Sequence, residues 1–395
     1  MTVIELAEQT KTAGVPAHRR TEDEITTYEF DIGVQRVKYL VAYDCLPGLT
    51  YQLGEELRRF SSILFVVDAQ VRSHAEQVIG ALERLVKVVP VSIETSEKSK
   101  RPAQVESMLE HAVDHGIDRN SAVVTMGGGV AGNMGGMVAA LLFRGLPLVH
   151  FPTTPVAAFD SVLSAKQAVN LRQGKNLCGT FHTPFLIACD LKWLNTVPDR
   201  QMAVGVAEMA KNVLAVVPAE AERFVAALEE RRRSPRSSVC TLLDVGITAK
   251  APFLSLDPHE HREALVFEYG HTVGHAIEFA SGGRISHGEG VAWGMLVAAE
   301  LAVGVCGLSA EDLAQHYALV CALGVDRSRL AEVDAPSIKR ALRLDNKRGH
   351  LQDAQDGTLA MVLLQALGKP EAFGPKPLIP VAIDRIESTM DAVLG

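Results

Sequence analysis

The chain has 395 residues, with 39 Lys+Arg against 47 Asp+Glu for a formal charge of −8, and 47% of it is apolar. That composition excludes a wholly disordered chain and supplies core for two or three domains at roughly 100–200 residues each. A mildly acidic chain without a basic block, and only 5% aromatic, points away from nucleic acid and anionic membranes as partners. Residues 1–35 are polar and weakly patterned and read as a leader with a first edge strand. From about 60 to 190, short apolar runs (Ser61–Asp68, Val88–Ile93, Ser121–Met126, Pro147–Phe151, Pro184–Asp190) alternate with helical patterns such as Ala103–His115 and Asn133–Phe143. Strands alternating with helices predict a mostly parallel sheet covered on both faces. After Pro198 the strand-like runs nearly vanish. Helical patterns follow over Arg200–Val217, Ala219–Arg233, Phe267–Ala280, Glu289–Val305 and Ala310–Leu323. The expected layout is residues 36–195 as an α/β domain and 196–395 as an all-α domain, and the boundary between two domains is where small-molecule sites tend to lie.

No membrane span is expected, because the apolar stretches near Val138–Phe151 and Val291–Val305 are broken by Arg144 and Glu300. The N-terminal MTVIELAEQTK lacks a basic region leading into an apolar one. The six cysteines (Cys45, Cys178, Cys189, Cys240, Cys306, Cys321) form no CxxC pair. They read as reduced thiols of a cytoplasmic protein.

Three constellations carry chemistry. The strand Ser121–Met126 runs into GGGVAGN, Gly127–Asn133, and then a helix. Glycine admits a ligand close to the backbone, and the helix N-terminus offers free N–H groups to a pyrophosphate. Asp68 closes an earlier strand, where a carboxylate accepts from an adenosine ribose. Glu97 and Lys100 follow another strand end and bracket hydroxyls in the same reading.

The second constellation is metal-binding. Glu208, Lys211 and Asn212 share a helix face at i, i+3 and i+4, where charge on an otherwise apolar helix is expensive unless used. His271 and His275 lie at i and i+4 in YGHTVGHAIE, and His287 stands where a further helix should begin. One acid and two imidazoles leave an open coordination position, as in catalytic sites. The third is a lysine set, Lys166, Lys175, Lys211, Lys250 and Lys347, which suits a polyanionic substrate such as a sugar phosphate if the side chains converge.

Taken in order, GGGVAGN, FRG, PTTPVAAFDS, the Lys166 and Lys175–Asn176 pair, GVAEMAKN, GITAKA, EYGHTVGHAIE, HGEGVAWGM and DNKRG resemble the sugar-phosphate cyclases of the 3-dehydroquinate synthase type over residues 60–370. The resemblance implies an N-terminal NAD domain, a C-terminal helical domain holding a divalent metal (zinc or cobalt), and a homodimer. It implies Glu208, His271 and His287 as metal ligands. Asp160, Lys166, Asn176, Lys175, Lys211, Lys250, His275 and Lys347 fall at the substrate site. Arg144, of the FRG motif, is implied to reach the substrate phosphate of the neighbouring subunit. Asp68, Glu97, Lys100, Gly128, Gly129, Asn133, Thr153 and Thr154 fall at the NAD site.

The departures from the pattern bear on the substrate. Ala264 stands where dehydroquinate synthases carry the Arg facing a substrate carboxylate, Glu268 where they have Asn, and Asn133 where they have Asp. DSVLSAK replaces their DSSVGGK. Losing a cation and gaining an acid suits a neutral sugar ring, since an unpaired buried charge costs several kcal/mol. The pattern is similar to that of family members acting on glucose 6-phosphate. It implies transient oxidation at carbon four by NAD, loss of phosphate, reduction and aldol closure, in aminocyclitol antibiotic biosynthesis. Lys166 and Asp160 then serve the carbon-four hydroxyl, and Glu268 and His275 serve as catalytic groups. The alternatives are a dehydroquinate synthase, a sedoheptulose 7-phosphate cyclase, a glycerol dehydrogenase-like polyol oxidoreductase and a non-catalytic relative.

Overall fold

The computed structural model describes residues 18–22, 24–231, 233–343, 356–372 and 376–395. They fall into two compact units. One takes in the described residues up to Pro198 together with Leu254–His259, and the other takes Asp199–Phe253 and the described residues from Glu260 onward.

In the α/β unit the chain runs β1 (His18–Glu22), β2 (Ile25–Ile32), β3 (Gln35–Ala42), α1 (Leu46–Leu57), β4 (Ser62–Asp68), α2 (Arg72–Leu82) and β5 (Lys87–Ile93). It continues through α3 (Pro102–Asp114), β6 (Ala122–Gly127), α4 (Gly129–Leu141), β7 (Leu148–Pro152), β8 (Lys166–Leu171), β9 (Gly174–Phe181) and β10 (Leu186–Asp190). The main sheet has the order β1-β2-β3-β10-β7-β6-β4-β5. From β3 to β5 every pairing is parallel, while β1, β2 and β3 form an antiparallel meander on one edge. Every residue of β4, β6, β7 and β10 is buried, as a sheet covered on both faces requires. The two-residue period divides β4 cleanly. Ile63, Phe65 and Val67 face the cluster of Leu49, Leu53 and Trp193, whereas Leu64 and Val66 face Met108, Met134 and Val138. The order reverses between β4 and β6, so Asp68 and Gly127 end neighbouring strands at a topological switch point, the place where open α/β sheets take ligands.

Two features of this unit were not expected from the sequence. One is the meander: a single edge strand was expected within residues 1–35, and three strands, β1, β2 and β3, lie between His18 and Ala42. A separate antiparallel hairpin, β8 with β9, covers 166–181 and carries a register break between Val169 and Leu171. After α4 the chain turns through Phe143 (φ 50), Arg144 (φ 70) and Gly145 (φ 123), with the Arg119 guanidinium 5.4 Å from the Phe143 ring centroid. Two consecutive non-glycine residues at positive φ cost roughly 1–3 kcal/mol each, and they leave the Arg144 side chain exposed.

The helical unit contains α5 (Asp199–Ala215), α6 (Ala221–Glu230), α7 (Pro235–Leu256), α8 (His271–Ala280), α9 (His287–Val305), α10 (Ala310–Ala322), α11 (Ala335–Leu342) and α12 (Ile383–Leu394). Two short ribbons accompany the helices: β11 (Thr358–Met361) with β14 (Ile379–Ala382), and β12 (Leu364–Ala366) with β13 (Lys369–Pro370). Helix α7 was not expected, since Pro252 lies inside it and an internal proline normally argues for a break. Helices α7 and α9 are long and apolar enough to cross a membrane, but 67% and 72% of their apolar windows are buried inside the protein, which marks core helices.

Candidate active site

Helices α8 and α9 meet through glycine. A Cβ on Gly274 would lie 2.9 Å from the Val291 Cα, and one on Gly290 would lie 2.6 Å from the Gly274 carbonyl oxygen. Only bare backbone permits that approach. A Cβ on Gly288 would likewise meet the Val204 carbonyl oxygen of α5 at 2.7 Å. Three helices are thereby drawn together at one point, and that is where the donors sit.

Glu208 is 1% exposed on α5. Its Oε1 lies 3.1 Å from His287 Nε2 and 3.7 Å from His271 Nε2, and its Oε2 accepts from Lys211 Nζ at 2.6 Å. Each imidazole is anchored from behind. His271 Nδ1 is 3.0 Å from the Tyr269 carbonyl oxygen, and His287 Nδ1 is 3.1 Å from Glu278 Oε2. Both backing groups are pure acceptors, so each Nδ1 carries a proton and each Nε2 is the atom turned toward Glu208, where it would offer its lone pair to a cation. Buried acceptors facing one another at this range need a positive charge between them. Burial drives the His287 imidazole down, but contact with Glu208 and Glu278 overrides it and pushes the pKa up to about 10. Burial raises Glu208, and Lys211 with the two imidazoles reverses this to hold it well below the usual carboxylate range. Burial keeps His271 below its ordinary value. The donor set therefore fits a divalent cation, which would supply that charge.

His275 belongs to the same cluster. One ligand nitrogen from each of His271, His275 and His287 falls within 4.8 Å of the others. Lys211 and Lys250, both buried, place their ammonium groups 5.7 and 5.2 Å from the centroid of the Phe267 ring. Glu268 is half-buried at the end of the turn Glu263–Glu268, and its charge works against burial to raise His271. Ala264 is fully buried. Asn212 is also fully buried, and neither atom of its amide has a hydrogen-bond partner among the described residues. Lys347 lies outside the described residues.

The α/β unit gathers a second set. Gly127 adopts φ +155, and a Cβ there would come within 2.8 Å of the Asp68 Cβ, so the glycine lets the ends of β4 and β6 touch. Asp68 accepts from the Gln70 N–H at 3.0 Å and from Thr95 Oγ1 at 2.5 Å. Gly128 lies beside Thr154, and Gly129 opens α4. The Thr153 N–H donates to the Gly127 carbonyl oxygen at 3.0 Å, while the buried Thr153 hydroxyl has no hydrogen-bond partner among the described residues. An unsatisfied buried hydroxyl beside a glycine turn and a helix N-terminus fits a dinucleotide. Asn133 ties the turn to β8, donating to the Gly129 carbonyl oxygen at 2.8 Å and accepting from the Ala168 N–H at 2.9 Å. That pair of bonds needs an amide and could not be made by the Asp expected of dehydroquinate synthases.

Glu97, Lys100, Lys175 and Asn176 converge. Lys100 Nζ donates to Asn176 Oδ1 at 2.6 Å, and Lys175 Nζ lies 3.7 Å from Glu97 Oε2. Burial, aided by Lys175, lowers the Lys100 pKa against the pull of Glu97. Asp160 is half-buried in the turn Ala157–Ser161, and Lys166 opens β8 with an exposed side chain.

Two further residues at these clusters escaped the sequence reading. Glu278 backs His287, and its spacing of seven from His271 and three from His275 on one helix was a usable signal. Asn170 lies at the register break of the β8–β9 hairpin, and nothing in the local pattern marks it.

The chain matches the family models described as 3-dehydroquinate synthase N-terminal, over residues 90–204, and 3-dehydroquinate synthase C-terminal, over residues 205–348. The chain belongs to the 3-dehydroquinate synthase family. Among the relatives it is similar to, the 2-deoxy-scyllo-inosose synthase of Streptomyces lividus is 41% identical over 357 residues, which span 90% of this chain and 92% of that protein. The 2-deoxy-scyllo-inosose synthase of Streptomyces ribosidificus is 45% identical over 298 residues, 75% of this chain and 76% of that one. A crystal structure of a 2-deoxy-scyllo-inosose synthase complexed with carbaglucose-6-phosphate, NAD+ and Co2+ superposes with a TM-score of 0.87 at 33% identity. It covers 93% of this chain and 100% of that one.

Proposed function

We propose that this member of the family converts D-glucose 6-phosphate to 2-deoxy-scyllo-inosose and inorganic phosphate, using NAD catalytically together with a divalent ion, zinc or cobalt. The observation that carries the reading is the buried meeting of Glu208 Oε1 with the Nε2 atoms of His271 and His287. The chain's similarity to a 2-deoxy-scyllo-inosose synthase solved with carbaglucose-6-phosphate, NAD+ and Co2+ supports it. The reaction balances as phosphate loss with no net oxidation.

When bound, NAD takes a hydride from the sugar and gives it back, and the ion polarises the oxygen at the carbon concerned. The chain's own groups do the rest. Glu208, His271 and His287 hold the ion, oriented by Lys211, Tyr269 and Glu278. Lys166 and Asp160 position the carbon-four hydroxyl, and one of the two takes its proton. Lys211, Lys250, His275, Asn176 and Lys175 bind the hydroxyls and phosphate, with Lys347 assigned by its motif. The positive charge of the lysines favours departure of phosphate from carbon six as the carbon-five proton is lost. Glu268 carries a proton during ring opening and aldol closure. Ala264 leaves no cation that a carboxylated substrate would require. Asp68, Glu97, Lys100, Gly128, Gly129, Thr153 and Thr154 hold the dinucleotide, and Asn133 shapes the turn that meets its pyrophosphate. Arg144, exposed on its strained turn, serves the phosphate bound in a second copy of the chain.

The experiment is incubation with glucose 6-phosphate, substoichiometric NAD and cobalt or zinc, following phosphate release and the carbon skeleton by NMR. A carbocycle and phosphate in equal amounts, with no accumulating NADH, is expected. Stoichiometric NADH without phosphate release would make the protein a polyol dehydrogenase instead.

A further inference from the structure

We propose that Asn170 is a positioning residue that sets the two sides of the coenzyme and sugar site in the α/β unit, acting through Glu97 on one side and Asn176 on the other. The inference rests on the roles proposed above for those two residues.

Asn170 falls at the bulge. Val169 pairs with Cys178 and Leu171 with Gly174, and Asn170 has no partner in the ladder. Bulges re-aim a side chain and release a backbone N–H from the ladder. Here the freed N–H donates to the Lys100 carbonyl oxygen at 2.8 Å. The carboxamide, 5% exposed, is nearly spent. Nδ2 donates to the Glu97 carbonyl oxygen at 3.0 Å and to Glu97 Oε2 at 2.9 Å, and Oδ1 accepts the Asn176 N–H at 2.9 Å. Two oxygens on one side and an N–H on the other leave only one orientation for the amide.

One side chain thus staples the 97–100 loop to the tip of the hairpin. The loop end carries the buried Lys100, whose ammonium reaches Asn176 Oδ1. The hairpin end holds Asn176 at φ 56, a left-handed conformation that Asn tolerates better than most residues. No other side chain reproduces this pattern. Asp keeps the acceptor for Asn176 but cannot donate to Glu97 and repels its carboxylate, and Ala removes both arms.

The two arms predict different losses. In Asn170→Asp, direct NAD binding measured by calorimetry should weaken about tenfold or more, the effect of losing hydrogen bonds to a charged group. The KM for glucose 6-phosphate should stay within about threefold of wild type, because the Asn176 arm survives. In Asn170→Ala both constants should rise. In an Asn176→Ala background, the further change Asn170→Ala should add little to KM, since the arm it removes has nothing left to position. Melting curves separate these effects from unfolding, and Asn170→Ser offers a gentler truncation with the same expected rise in both constants. Equal losses of both ligands in Asn170→Asp, or no loss in folded Asn170→Ala, would overturn the proposal. A wild type that binds NAD but never releases phosphate from glucose 6-phosphate would instead defeat the functional reading, leaving the NAD arm of this test intact.

Discussion

The two clusters are built on opposite principles. In the helical unit, Glu208, His271 and His287 are anchored on their outer sides and turn acceptors toward one another, so the folded chain leaves a demand for positive charge that Lys211 and the raised His287 imidazole answer in part. In the α/β unit most of the polar groups already serve the chain. Asp68 is held by Gln70 and Thr95, Asn133 by Gly129 and Ala168, and Asn176 by Lys100 and Asn170. The first arrangement would suit a tight ion site, because its donors are set on packed helices. The second makes a shaped cradle whose loops are held by the chain's own hydrogen bonds, leaving backbone and a few spare groups such as the Thr153 hydroxyl for the coenzyme proposed above.

The sharpest way to break that contrast is to delete a donor. Glu208→Ala or His271→Ala should abolish turnover and tightly bound metal while NAD binding persists, as read by metal analysis and calorimetry on the same sample. Full activity in a metal-free variant would end the mechanism. Next in size, Glu278→Ala should weaken metal affinity by about 10–100-fold in chelator competition, because His287 loses the acceptor that fixes its tautomer. Gly274→Ala touches no donor at all. It drives a methyl into the α9 backbone and should cost about 1–3 kcal/mol in denaturant unfolding and loosen the metal, again sparing NAD.

A smaller effect belongs to the α/β unit. His150, buried in β7 with Nδ1 2.7 Å from Thr125 Oγ1, has its pKa lowered to about 3, by burial first and then by His182. Above about pH 6.5 both folded and unfolded chains hold this ring neutral. As pH falls below that, the unfolded chain takes up a proton that the folded one refuses, so stability is lost on the way down toward pH 3. Between pH 7 and pH 5 the loss should be roughly 2 kcal/mol. Urea unfolding of wild type and His150→Asn at the two values checks this, and an unchanged pH dependence in the variant would remove His150 from the account.

Much of this was legible beforehand because it is local. The apolar runs closing on Asp68 and Met126, the glycines after them, and the spacing of Glu208 with Lys211 and of His271 with His275 all follow from helix and strand periodicity. What stayed hidden depends on partners far along the chain. The β8–β9 hairpin is mostly exposed along β9 and so lacks an apolar alternation. Its bulge at Asn170 has meaning only because the 97–100 loop lies beside it. Helix α7 survives Pro252 because the packing around it outweighs the local penalty. The glycines that bring α8 onto α9 look, in one dimension, like helix-weakening choices.

The left-handed turn at Phe143 and Arg144 sets folding and aim against each other. Glycine in place of Phe143 would relieve the strained φ but give up the ring beneath Arg119, and it would also free the Arg144 guanidinium to wander. On the role proposed for Arg144, relaxing this corner would loosen the grip on phosphate and leave the donors on the helices as they are.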